Sequence, residues 1–122
     1  MAAATKKHPW VLIVDDDADV QELLAELLTG EGYRVTVASN GLEAIDMLEQ
    51  AEDRPCAVIV DLLMPGVVGQ ELIEYVRGDS RLAEIPLAIV SGSPQLAPAG
   101  VPVFKKPVPA RDLLAFIHGR CC

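Results

Sequence analysis

The sequence predicts an α/β domain in which a doubly wound, five-stranded parallel sheet carries helices on both faces. Three observations predict it. First, Trp10 to Val14 (Trp-Val-Leu-Ile-Val) and Ala57 to Val60 (Ala-Val-Ile-Val) are continuous apolar runs rich in β-branched residues, the pattern of strands covered on both sides. Second, strand-like and helix-like segments alternate almost throughout, which calls for parallel strands joined by right-handed crossovers. Third, four of the strands end in polar groups: Asp15-Asp16, Asp61, Ser91 and Lys106. Ligands of open α/β sheets bind at that carboxyl edge.

Each element has its own warrant. After the first strand, Val20, Leu23, Leu24, Leu27 and Leu28 recur at helical spacing with Gln21, Glu22 and Glu26 between them, and Gly30 and Gly32 stop the helix. Tyr33 to Ala38 alternates, as an edge strand with one wetter side does. Ser39 or Asn40 caps a helix from Gly41 to about Glu52, with Leu42, Ile45 and Leu48 as its expected inner face. Asp53-Arg54-Pro55 turns the chain into the third strand, and Pro65-Gly66 forces a turn after it. The helix from Gly69 to about Arg77 buries Leu72, Ile73 and Val76. Leu87 to Val90 is the fourth strand, Val101 to Phe104 the fifth, and Pro109 to His118 the last helix, with Leu113, Leu114, Phe116 and Ile117 inward. Between the last two strands, Pro94, Pro98 and Gly100 leave room for at most one helical turn.

Composition narrows the function. The chain has 122 residues, 51% of them hydrophobic, which suits one domain with a sizeable core. A net charge of −8 argues against direct nucleic-acid or anionic-membrane binding. No apolar run is long enough for a membrane span, and Met1 to Pro9 lacks the apolar core of a signal peptide. Residues 1–9 and 119–122 are expected to be tails of a single domain. Of the three cysteines, Cys56 is expected as a reduced core thiol and Cys121-Cys122 as a frayed end, with a reducing cytoplasm the default setting.

The strand ends carry the chemistry. If the first and third strands are neighbours, about 5 Å apart, Asp15, Asp16 and Asp61 crowd one corner. Like charges that close require a proton or a cation, and the cation can be a lysine, a metal or both. An all-carboxylate donor set without His or Cys favours a hard ion such as Mg²⁺. Ser91 and Lys106 add a hydroxyl and a fixed positive charge, a setting that suits a transferring phosphoryl group, with Asp61 as its nucleophile. Asp17 and Asp19 suit a helix N-terminus rather than a metal.

These residues together resemble the response-regulator receiver domains of bacterial two-component signalling, from Trp10 to about Ile117. The matching motifs are Val-Asp-Asp after the first strand, Val-Asp-Leu-Leu-Met-Pro-Gly around Asp61, Val-Ser-Gly after the fourth strand and Lys-Lys-Pro after the fifth. The resemblance implies a flavodoxin-like sheet of order 2-1-3-4-5 with the fourth helix shortened or replaced by a loop. It implies phosphorylation of Asp61 by a histidine kinase or phosphotransfer protein, and Mg²⁺ held by Asp15, Asp16, Asp61 and the Leu63 backbone carbonyl. Ser91 and Lys106 would contact the phosphoryl group, and the Lys106–Pro107 bond would be cis. The domain would be a cytoplasmic signalling module rather than an enzyme, relaying its state to a downstream protein.

Two positions depart from the family pattern. Val103 stands where an aromatic residue usually precedes the lysine by three positions, with Phe104 beside it, and the full fourth helix is missing. An adaptor that binds its partner without phosphorylation is therefore the alternative reading. A Mg²⁺-dependent phosphatase is weaker, because Asp61-Leu62-Leu63 lacks a second acid. An FMN module is weaker too, because no phosphate loop follows the first strand.

Overall fold

The computed structural model describes residues 9–61, 69–92, 97–98 and 100–121. Its elements run β1 (Trp10–Val14), α1 (Ala18–Thr29), β2 (Arg34–Ala38), α2 (Gly41–Gln50), β3 (Ala57–Val60), α3 (Gly69–Gly78), β4 (Leu87–Ser91), β5 (Val103–Lys105) and α4 (Ala110–Cys121). All pairings are parallel and the order is β2-β1-β3-β4-β5, as expected. Every residue of β1 and β3 is buried, because helices cover the sheet on both sides.

The pleat divides the core in two. Leu12, Val14, Val58, Val60 and Ile89 join Ala44 and Leu48 of α2 and Leu72, Ile73 and Val76 of α3. Val11, Ile13, Ala57, Ile59, Ala88 and Val90 face the other way, onto Leu24 and Leu28 of α1 and Leu113 and Ile117 of α4. Side chains alternate across a strand, so one short run such as Val11–Val14 serves both layers. Trp10 seals the bottom of β1, and its Nε1 donates to the Asp53 carbonyl at 3.1 Å.

The helix starts follow local chemistry. Asp17 is the N-cap of α1, its carboxylate accepting from the Asp19 amide at 2.9 Å. Asn40 caps α2 by accepting from Glu43 N–H at 2.9 Å, while Glu43 accepts from Ser39 N–H at 2.8 Å. Gly32, at φ 95°, turns the chain after α1. No helix separates β4 from β5 among the described residues, where Ala97 and Pro98 are irregular and Gly100 lies in a turn. Pro94 and the single turn expected from it lie outside the described residues.

Four expectations are corrected. Leu42 is 60% exposed and Leu23 45%. In α2 the buried stripe is Gly41, Ala44 and Leu48, because small residues let the helix sit close to the sheet. β5 begins at Val103 rather than Val101; Pro102, which has no N–H, still accepts from Ile89 N–H at 2.9 Å. Helix α4 continues past His118 to Cys121. Finally, Cys56 is not a free thiol and Cys121 is not part of a frayed end. They form a disulfide, with Cα atoms 5.3 Å apart, because the start of β3 and the last turn of α4 meet at the amino edge of the sheet. Cysteine usage therefore gives no argument for a reducing compartment. Cys122 lies outside the described residues.

Candidate functional site

At the carboxyl edge, β1 and β3 are hydrogen-bonded neighbours with Val14 opposite Val60, so the residues that follow them emerge side by side. The Asp61 amide donates to the Val14 carbonyl at 2.9 Å, and the Asp15 amide donates to Ala38 O at 3.1 Å. Both backbones are thus held by the sheet past its formal ends. One carboxylate oxygen from each of Asp15, Asp16 and Asp61 lies within 4.8 Å of the others. Asp15 and Asp61 are buried and Asp16 is exposed, so the cluster is walled on the sheet side and open to solvent on one flank.

Lys106 reaches this corner from beyond β5. Its Nζ lies 3.2 Å from Asp15 Oδ2 and 3.2 Å from Asp61 Oδ2. Its amide donates to the Ser91 carbonyl at 2.9 Å, which fixes the lysine backbone against the end of β4. The Lys106–Pro107 peptide is cis. Ser91 is buried as the last residue of β4, on the strand beside β3. Lys105, paired in register with Ser91, is exposed.

The electrostatics follow from this packing. Burial pushes the Asp15 carboxyl above its ordinary 3.8 and the nearby Asp61 charge adds to the rise, while the Asp17 amide at 2.9 Å and Lys106 oppose it. For Lys106, burial acts to lower the pKa. The hydrogen bond and charge of Asp15, together with Asp61, outweigh it, so the ammonium titrates above its ordinary 10.5. Two acids sharing one lysine leave excess negative charge for a further cation. Among the described residues the clustered donors are carboxylate oxygens with no histidine or cysteine, which fits a hard divalent ion.

Four residues singled out from sequence meet here, Asp15, Asp16, Asp61 and Lys106, and Ser91 ends the strand beside β3 with its carbonyl bonded to the Lys106 amide. Leu63, expected to offer its carbonyl, lies outside the described residues. Sequence reasoning missed Gln21, whose amide donates to the Asp15 carbonyl and, at 3.3 Å, to Ser39 Oγ. It steadies the β1 exit, and its sole signal was a polar residue in the first turn of α1. Val103 and Phe104 diverge: Val103 packs with the α2/α3 layer, whereas Phe104 packs with the α1/α4 layer, 5.9 Å from the Phe116 ring. Phe104 therefore cannot stand in for an aromatic at position 103.

Comparison with known proteins gives concordant results. The response regulator MprA of Mycobacterium tuberculosis is 38% identical over 81 residues, 66% of this chain and 34% of that protein; the match spans about a third of the relative's length. Among solved structures, a putative response regulator from Chloroflexus aurantiacus superposes with TM-score 0.84 at 31% identity, covering 94% of this chain and 98% of that one. The chemotaxis response regulator CheY4 of Vibrio cholerae gives 0.81 at 27% identity, covering 93% and 98%. No helix among the described residues is long and apolar enough to cross a membrane. The family model for the response regulator receiver domain matches residues 11–117, and the chain belongs to that family, the signalling modules of two-component systems.

Proposed function

We propose that this receiver is phosphorylated on Asp61 in a Mg²⁺-dependent reaction and passes its state on by protein–protein contact. The observation that carries the reading is the 3.2 Å approach of Lys106 Nζ to both Asp15 and Asp61, with Asp16 completing the acid cluster. An Asp61 oxygen attacks the phosphorus of a phosphohistidine on a histidine kinase or phosphotransfer protein. An O–P bond forms, the N–P bond breaks, and the imidazole leaves. Lys106 holds the nucleophile in place and then faces the added negative charge. Ser91, at the end of the adjacent strand, supplies a hydroxyl for a phosphoryl oxygen. Asp15, Asp16, Asp61 and the Leu63 carbonyl are the residues that would hold Mg²⁺, which when bound neutralises charge on the phosphoryl oxygens. In this reading the domain acts as a phosphoacceptor, not as an enzyme on an outside substrate, and works in the cytoplasm beside its kinase.

The test is intact-mass spectrometry after incubation with acetyl phosphate and Mg²⁺. Wild type should gain one phosphoryl group, and Asp61→Asn none. An unmodified wild-type mass would remove the reading. A second reading, an adaptor that works without phosphorylation, is favoured by Val103 and by the absence of a β4–β5 helix among the described residues. It predicts that Asp61→Asn leaves partner capture unchanged.

A further inference from the structure

At the opposite edge of the sheet from the acid cluster, a cleft of about 550 Å³ is lined by Cys56, Pro86, Arg54, Arg120 and Glu84 among others. Cys56 lines this cleft and Cys121 does not, although the two are joined by the disulfide. Both cysteines are only partly buried. The walls carry both signs of charge, so a small thiol bearing an ammonium and carboxylates finds complementary groups there.

The bond also ends a tight set of contacts. In the last turns of α4, His118 Nδ1 lies 2.7 Å from the Tyr33 hydroxyl, and Nε2 lies 3.1 Å from Glu31 Oε1. The tautomer that satisfies both donates from Nε2 to the carboxylate and accepts the tyrosine proton at Nδ1. The Arg120 guanidinium sits 4.4 Å over the Phe116 ring. Cys121 follows directly, so the disulfide closes this network at the helix terminus, where helices otherwise fray.

We propose that Cys56–Cys121 is a thiol–disulfide exchange site reached through this cleft by a low-molecular-weight thiol of the glutathione class, and that its redox state decides whether the last turn of α4 is held. A thiolate attacks Cys56 Sγ, the disulfide breaks, and its electron pair leaves on Cys121 Sγ, which takes a proton from solvent. A second thiol attacks the mixed disulfide, freeing Cys56 as a thiol and releasing the oxidised thiol dimer. The protein disulfide is reduced and two small thiols are oxidised.

The experiment uses the full chain carrying Cys122→Ser, so that only the paired cysteines react. After treatment with oxidised glutathione, a peptide map should show the Cys56 and Cys121 peptides linked; separate peptides would overturn the proposal. Next, reduced glutathione at about 10 mM should open the bond, and a bond that stays closed is a structural staple, which also overturns it. Quenching partway with N-ethylmaleimide should trap glutathione on Cys56 and maleimide on Cys121; the reverse pattern refutes entry through the cleft. Amide hydrogen exchange over residues 118–121 should be about tenfold faster in the reduced protein. Equal exchange in both forms would refute the latch.

Discussion

Replacing Lys106 by methionine removes the cation that two acids share while keeping the aliphatic stem. Each Nζ–carboxylate approach of 3.2 Å represents a gross attraction of about 5 kcal/mol at an effective dielectric constant of about 20. Two acid oxygens up to 4.8 Å apart repel by about 3.5 kcal/mol under the same assumption. The full loss is not felt, because a carboxyl group can take up a proton instead. Protonating an aspartate with the ordinary pKa of 3.8 at pH 7 costs about 4 kcal/mol, and Asp15 already titrates above that value. The proton therefore caps the destabilisation, and the partial exposure of Lys106 lowers it further, which leaves about 2–3 kcal/mol. For a chain of this length the melting temperature should fall by about 10 °C in chelator at pH 7. The loss should shrink at pH 4, where acid takes over the neutralising role. Mg²⁺ should raise the melting temperature of Lys106→Met more than that of wild type, because a divalent ion replaces the missing charge. Circular dichroism melts of both proteins, with and without Mg²⁺, read all of this. An unchanged melting temperature in chelator, or equal Mg²⁺ shifts in the two proteins, would refute the electrostatic account.

Further outcomes follow from the same geometry. Asp15 titrates above its ordinary value, so its stabilising contribution is full below pH 3.8 and is lost as pH rises through the raised folded value. Asp15→Asn should therefore raise the melting temperature of metal-free protein at pH 7 and leave it unchanged at pH 3; a decrease at pH 7 would reverse the sign of the argument. Ile59, 1% exposed at mid-β3, should cost about 2–5 kcal/mol when cut to alanine, measured as a lower urea midpoint with an unchanged slope. Leu63 offers no hydrogen bond to an attacking water, so Leu63→Asn should shorten the lifetime of phosphorylated Asp61 severalfold, with Ser93 partly offsetting the difference. Equal decay in a mass-spectrometric time course would count against it.

The acid cluster was legible because Asp15 and Asp61 stand at the ends of strands whose apolar runs are unmistakable. Once Val11–Val14 and Ala57–Val60 are read as buried parallel strands, Asp15 and Asp61 can only emerge at one edge. Lys106 was legible through its motif, since a lysine in isolation carries no such signal. Helix rotation was harder to read. Leu42 fits an apolar spacing with Ile45 and Leu48, yet close approach through Gly41 and Ala44 turned it outward. The Cys56–Cys121 pairing was hidden because the partners lie 65 residues apart and three cysteines do not define a pair. Tyr33, read as the first residue of an edge strand, precedes β2 and is buried in the α1/α4 layer, with its hydroxyl against His118 from 85 residues away, a contact that local periodicity does not encode.

Lys106 stands 91 residues from Asp15 and 45 from Asp61. No short fragment of the chain contains the whole corner: the adjacent Asp15–Asp16 pair lacks both the third acid and the lysine until the sheet forms. On the proposed Mg²⁺ binding, a divalent ion that needs all three acids together favours the native chain over the denatured ensemble. Calorimetric titration of such an ion would then count native molecules in any preparation, including samples of variants too unstable to assay for signalling.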